Sequence, residues 1–164
     1  QHFNAVIQKG KKNKITIEDP LVITSGVATG KLIGGNLSLL ISMIGTAHES
    51  DWSDHIVFIE EVGESTYRID RMLTQLLAAQ KFRGIKGIAL GHFTRCDAQP
   101  GDPYYEFSTS LKEVFKDRLG DLGIPVMGGF PFGHEENNAT LPIGIRATMD
   151  TEKGVLKLLE SAVS

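Results

Sequence analysis

His55-Ile-Val-Phe-Ile-Glu-Glu61 decides how this chain is read. Residues 56–59 are unbroken apolar sequence, bounded by a histidine on one side and two glutamates on the other. A strand with one wet face alternates apolar and polar side chains. An unbroken run instead asks for cover on both faces, as in the parallel sheets of α/β proteins. The stretch therefore predicts a central strand that stops at Glu60-Glu61. Just beyond it, residues 65–81 carry Ile69, Met72, Leu73, Leu76 and Leu77 at i, i+3, i+4, i+7 and i+8. That is one apolar stripe at helical spacing, able to cover one side of the strand.

The alternation of strand and helix continues in both directions. Residues 21–25 and 28–33 read as strands parted by Gly26, with Gly34-Gly35 closing the second. Asn36 is placed to cap a short helix to about residue 44, with Leu39, Leu40, Met43 and Ile44 on its apolar face. Residues 87–91 form another short buried strand. Ser110-Leu-Lys-Glu113 has the spacing of a capping box, followed by Leu111, Val114, Phe115 and Leu119 on one helical face and Gly120 as a left-handed stop. A strand over 124–128 leads into Gly129-Phe-Pro-Phe-Gly-His134, and 143–150 with 154–159 reads as a closing strand pair. The class is α/β.

Composition narrows the function classes. The chain has 164 residues, 23% charged and 41% hydrophobic, in keeping with one folded domain. Its net charge of −3 gives no general pull toward nucleic acid. The one dense charge run, Gln8-Lys-Gly-Lys-Lys-Asn-Lys14, has no interleaved aromatic residues for base stacking, and reads as a solvated linker within 1–19. The folded domain is expected over 20–164. A single cysteine, Cys96, excludes an internal disulfide and a cysteine-cluster metal site. The longest apolar runs are four residues, so neither a membrane-spanning helix nor a secretory leader is expected.

Few motifs carry chemistry. Gly26-Val-Ala-Thr-Gly-Lys31 is one residue short of a phosphate loop, and Leu32 stands where a magnesium-holding hydroxyl belongs. His2, His48, His55, His92 and His134 form no tight ligand pair, and Asp97 with Asp102 lacks calcium-loop spacing, so neither metal nor cofactor is expected. Glu60 and Glu61 end a buried strand, where open α/β sheets place ligands, although solvated strand-end charges are the simpler reading. His134 follows a turn after another strand. Together, an imidazole and a carboxylate on two strand-end loops can make a base and its orienter. No Gly-x-Ser-x-Gly elbow supplies a nucleophile, and nothing marks Cys96 as activated.

Lys31-Leu-Ile-Gly-Gly-Asn-Leu37, Phe58-Ile-Glu-Glu-Val-Gly-Glu64 with Asp70-Arg-Met-Leu73, and Phe132-Gly-His-Glu135 with Leu141-Pro-Ile-Gly144 resemble, in order and spacing, the C-terminal half of LD-carboxypeptidases. This serine peptidase family also contains the microcin-immunity hydrolases. The resemblance implies a swivelling β/β/α-type C-terminal domain, often in a homodimer. It implies release of the terminal D-alanine from murein tetrapeptides during cytoplasmic cell-wall recycling, by a Ser-His-Glu triad. The family's glutamate falls on Glu60 and its histidine on His134. The serine and the oxyanion hole belong to an N-terminal domain that this sequence does not match, so residues 1–19 are expected to be the inter-domain connection and this chain alone to be inactive. A peptidyl-nucleotide hydrolase of the immunity branch, or a non-catalytic binding module of the same fold, are the alternatives. Glu61 stands where many relatives have aspartate.

Overall fold

The computed structural model describes residues 13–98 and 108–163. Most of the lysine run, together with His2 and Asp102, lies outside the described residues. Among the described residues, eight strands and three α-helices follow one another as β1 (Lys14–Thr16), β2 (Leu21–Thr24), β3 (Val27–Asn36), α1 (Leu37–Met43), β4 (His55–Val62), α2 (Thr66–Ala78), β5 (Gly87–Thr94), α3 (Leu111–Leu119), a 3₁₀ turn (Gly120–Leu122), β6 (Val126–Gly128), β7 (Arg146–Asp150) and β8 (Val155–Leu158). All strands belong to one sheet, ordered β1-β8-β7-β3-β4-β5-β6-β2. Its middle, β3-β4-β5-β6, is parallel, and the remaining pairings are antiparallel. The predicted central strand is β4, flanked on both sides.

The sheet is strongly curled. β1 and β2 sit at opposite edges, yet residues 17–20 are all that joins them. That link reaches at most about 18 Å, while a flat eight-stranded sheet would be about 33 Å wide. Gly87 on β5 registers the same curvature. A Cβ there would lie 2.9 Å from Ala28 on β3 and 3.1 Å from Met149 on β7, across the inside of the curl. The inner face holds a core of Leu32, Ile56, Phe58, Met127, Met149 and Leu156, among others.

The outer face carries the helices. Ile69, Met72, Leu73 and Leu76 of α2 are buried against Val57, Ile59, Ile88 and Leu90, with Leu77 at the margin. Phe93 packs edge-on to Phe115 of α3, ring centroids 4.8 Å apart, and Arg118 joins α3 to α2 through both oxygens of Asp70. The Ser110–Glu113 capping box is formed in both directions. Among the described residues, no helix is long and apolar enough to cross a membrane.

Several local expectations are corrected. β3 does not close at Gly34-Gly35 but runs through them, with φ of 145° and 156°. A Cβ on Gly34 would collide with the Phe58 carbonyl, so the glycine is what lets β3 approach β4. The buried side of α1 is Leu37, with Leu40, Ile41 and Ile44 packed partly, whereas Leu39 and Met43 face solvent. Gly120 stays right-handed and the chain makes one more 3₁₀ turn, so the left-handed stop is Gly123, at φ 68°. β1, with Ile15 buried, lies within the stretch 1–19 expected to be a connection, so the sheet begins before residue 20.

Candidate active site

β4 continues through Glu60, Glu61 and Val62 instead of ending before them. The pleat sends Ile56, Phe58 and Glu60 toward the inside of the curl, and Val57, Ile59 and Glu61 toward the helices. Neither glutamate is a solvated strand-end charge. Glu60 is 8% exposed and Glu61 2%. Each is buried because it has partners.

Glu61 accepts hydrogen bonds from Asn36 Nδ2 (2.7 Å), the Ser38 amide (2.8 Å), Ser38 Oγ (2.6 Å) and its neighbour's amide at Val62 (2.9 Å). Burial by itself pushes this carboxyl's pKa up. The bonds from Ser38, Val62 and Asn36 outweigh it and hold the pKa below the usual value. Asn36 also caps α1 by accepting from the Leu39 amide, so Glu61 fastens the β3–α1 corner to β4.

Glu60 faces the other way and meets His134, whose Nδ1 lies 2.7 Å from Glu60 Oε2. His134 stands on the long connection after β6, which is fixed to the mouth of the curl by aromatic residues. Phe130 and Phe132 are buried there, stacked with centroids 5.7 Å apart, and Phe132 meets Phe58 edge-on. The Phe130 amide donates to the Leu90 carbonyl and the His92 amide to the Phe132 carbonyl. Gly91 leaves room for the Phe132 ring, with which a Cβ would collide. Gly133, at φ 129°, lies against Glu60, and a Cβ there would sit 3.1 Å from Oε2. Asn138 Nδ2 holds the Gly133 carbonyl (2.6 Å), and Thr94 Oγ1 donates to Glu135 Oε1 (2.7 Å).

This arrangement can do one thing well. An ionised carboxylate only accepts, so a neutral imidazole here carries its proton on Nδ1 toward Glu60 and its lone pair on Nε2. Glu60's side chain is 11% exposed while that of His134 is 53% exposed, which gives a buried orienter and an open base. Among the described residues no hydroxyl or thiol is hydrogen-bonded to His134. Cys96 is 1% exposed, and burial pushes its thiol pKa up, so it is no nucleophile.

The other sequence candidates stay apart from this pair. Gly26 makes the bend between β2 and β3, bonded to Thr151, and Lys31 lies within β3. His55 bonds the Ser53 carbonyl at the opposite end of β4. Among the described residues no three His, Cys, Asp or Glu side chains converge as metal ligands. A cavity of about 750 Å³ opens between α2 and α3 and is lined by Tyr67, Asp70, Cys96 and Arg118 among others. It borders neither Glu60 nor His134. Asp70 and Arg118 in it are paired with each other, whereas His134 has an open nitrogen, so the base-and-orienter pair is the candidate site. Sequence reasoning missed the supports Thr94 and Asn138. The buried phenylalanines on either side of Pro131 were the available signal that the loop is anchored.

Comparison with known proteins identifies the family of the domain. The profile of the LD-carboxypeptidase C-terminal domain matches residues 29–149. A Synechocystis protein named as a carboxypeptidase is 46% identical over 134 residues, which are 82% of this chain and 43% of that protein. The crystal structure of muramoyltetrapeptide carboxypeptidase from Oxalobacter formigenes superposes with a TM-score of 0.80 at 32% identity, covering 96% of this chain and 52% of its own. The Escherichia coli microcin C7 self-immunity protein MccF is 29% identical over 147 residues, 85% of this chain and 39% of MccF. A structure of MccF superposes with a TM-score of 0.70. The chain thus spans about half the length of these relatives, or less. With the profile covering most of the chain, and most of β3, all of β4 and the His134 loop inside the match, this chain belongs to the LD-carboxypeptidase family, as its C-terminal domain.

Proposed function

We propose that this chain supplies the base and the orienting carboxylate of a serine carboxypeptidase that releases the terminal D-alanine of murein tetrapeptides. The observation that carries the reading is the Nδ1 contact of His134 with buried Glu60, which leaves Nε2 open. The nucleophilic serine and the oxyanion donors then come from a second domain. That domain would approach the mouth of the curl, where the histidine is exposed.

In such an assembly Nε2 takes the serine proton as Oγ attacks the carbonyl before D-alanine, and returns it to the leaving amine. Glu60 fixes the tautomer and stabilises the imidazolium. D-alanine departs, the remaining peptide stays on the serine oxygen as an acyl-enzyme, and water activated by the same nitrogen cleaves that ester. By itself the chain has a base but no route to the acyl-enzyme, so it is inactive until the serine-bearing half joins it. Cytoplasmic location and a homodimer complete the proposal.

Immunity-type hydrolysis of a peptidyl-nucleotide would use the same pair. The greater similarity to the muramoyltetrapeptide enzyme, in both TM-score and identity, favours murein peptide. The test is D-alanine release from murein tetrapeptide. No release is expected from the purified chain, and release is expected once a serine-bearing half is supplied. Hydrolysis of a peptidyl-nucleotide but not of tetrapeptide by that mixture would sink the murein reading.

A further inference from the structure

The functional reading makes His134 the base, and the inference here rests on that reading. His134 lies on a connection without ladder hydrogen bonds, immediately after Gly133. A glycine at φ 129° stands in a conformation that residues with side chains disfavour, and lacks a side chain that would resist rotation. Before His134 the chain is held at two carbonyls, that of Phe132 by the His92 amide and that of Gly133 by Asn138. After His134 the restraint is of another kind. The Glu135 carboxylate accepts from Thr94 Oγ1 at 2.7 Å. Thr94 is the last residue of β5, itself fixed by pairing with Val62 of β4 and by the Gly63 amide, which donates to its carbonyl. So the residue following the base is tied to the strand beside the one that carries Glu60.

We propose that Thr94 and Glu135 are a positioning pair, which stops the chain from turning about Gly133 and keeps the His134 ring on Glu60. Hydroxyl-to-carboxylate bonds are short and directional, which suits a locating role. Glu135 is exposed and Thr94 half-buried, so their contact adds little to global stability and its effect is local. Without it, the Asn138 tie to the Gly133 carbonyl remains, and the ring's own bond to Glu60 must compete with water.

The test reads the Nδ1 proton of His134 in this chain by nuclear magnetic resonance, through its exchange with water, so no turnover is needed. Thr94→Val and Glu135→Ala are expected to speed that exchange about tenfold, the scale of one lost hydrogen bond. Thr94→Ser and Glu135→Gln, which keep a hydroxyl donor and a carbonyl acceptor, are expected to stay near the parent. The double variant Thr94→Val/Glu135→Ala should be no faster than either single one, because both remove the same bond. The backbone amide spectrum reports whether each variant is folded. Exchange within twofold of the parent in both disruptive variants, or a double effect equal to the product of the singles, overturns the pair. A Nδ1 signal that survives Glu60→Ala unchanged would instead overturn the Glu60–His134 reading beneath it.

Discussion

At the end of β4 two adjacent carboxylates are buried on opposite faces of the sheet, and their surroundings differ in kind. On the helical face Glu61 accepts four hydrogen bonds, every donor coming from β3, α1 or β4 itself. On the inner face Glu60 has one ring nitrogen, and that ring's far side is open. A carboxylate whose lone pairs are filled by fixed local donors is a fastening. One that holds a half-exposed imidazole is a tool. Burial alone does not separate them, since Glu61 is the more buried of the two.

The comparison breaks most readily at His134. In the proposed assembly with a serine-bearing half, His134→Ala is expected to lower D-alanine release about 10³-fold. An equal loss from a Glu61 variant that remains folded would erase the distinction between the faces. Next in size, Glu61→Ala strands the Asn36, Ser38 and Val62 donors and should cost about 3 kcal/mol in urea denaturation. A cost below about 1 kcal/mol would mean those bonds are spectators. The same carboxyl sets a pH signature. Its folded pKa lies below the ordinary 4.5, so it stabilises fully above that pH and loses the contribution as pH falls through the folded value. The stability gap between the parent and Glu61→Gln should therefore narrow on acidification below 4.5.

Smaller effects sharpen the contrast. Gly133→Ala puts a methyl group 3.1 Å from Glu60 Oε2 at a φ that disfavours it. It should lower turnover about tenfold by displacing the pair. Ser110→Ala, remote from both faces, removes the capping box of α3 and should cost about 1 kcal/mol with turnover intact, a baseline for purely structural loss.

What was legible in the sequence is what local pattern determines. The run 56–59 and the stripe from Ile69 to Leu76 place β4 and α2, and the Ser110–Glu113 spacing gives a cap that forms as written. The end of β4 was not legible. Two glutamates look like a strand leaving the core, and they stay in it only because Asn36, Ser38 and His134, all distant in the chain, come to meet them. Nor could a seven-residue helix declare its buried face, and Leu39 and Met43 were assigned to the wrong side. β1 is three residues beside a lysine run, and becomes a strand only through β8 at the far end of the sequence. The approach of Glu60 to His134 follows from strand pleat and the family likeness together. Neither hints at Thr94 or Asn138.

The curl that joins the sheet's edges has a consequence for synthesis. Lys14 pairs with Lys157, and Leu21 with Gly128, so the first two strands each wait for a partner made much later. As the chain emerges from a ribosome, the parallel middle can assemble once β6 is out, and β2 can then join one edge. β1 finds no seat until residue 157 has appeared. Such late, long-range pairing slows folding and leaves an early segment waiting in solution. The domain can be finished only from its tail, and loss of the last dozen residues would undo its first strand.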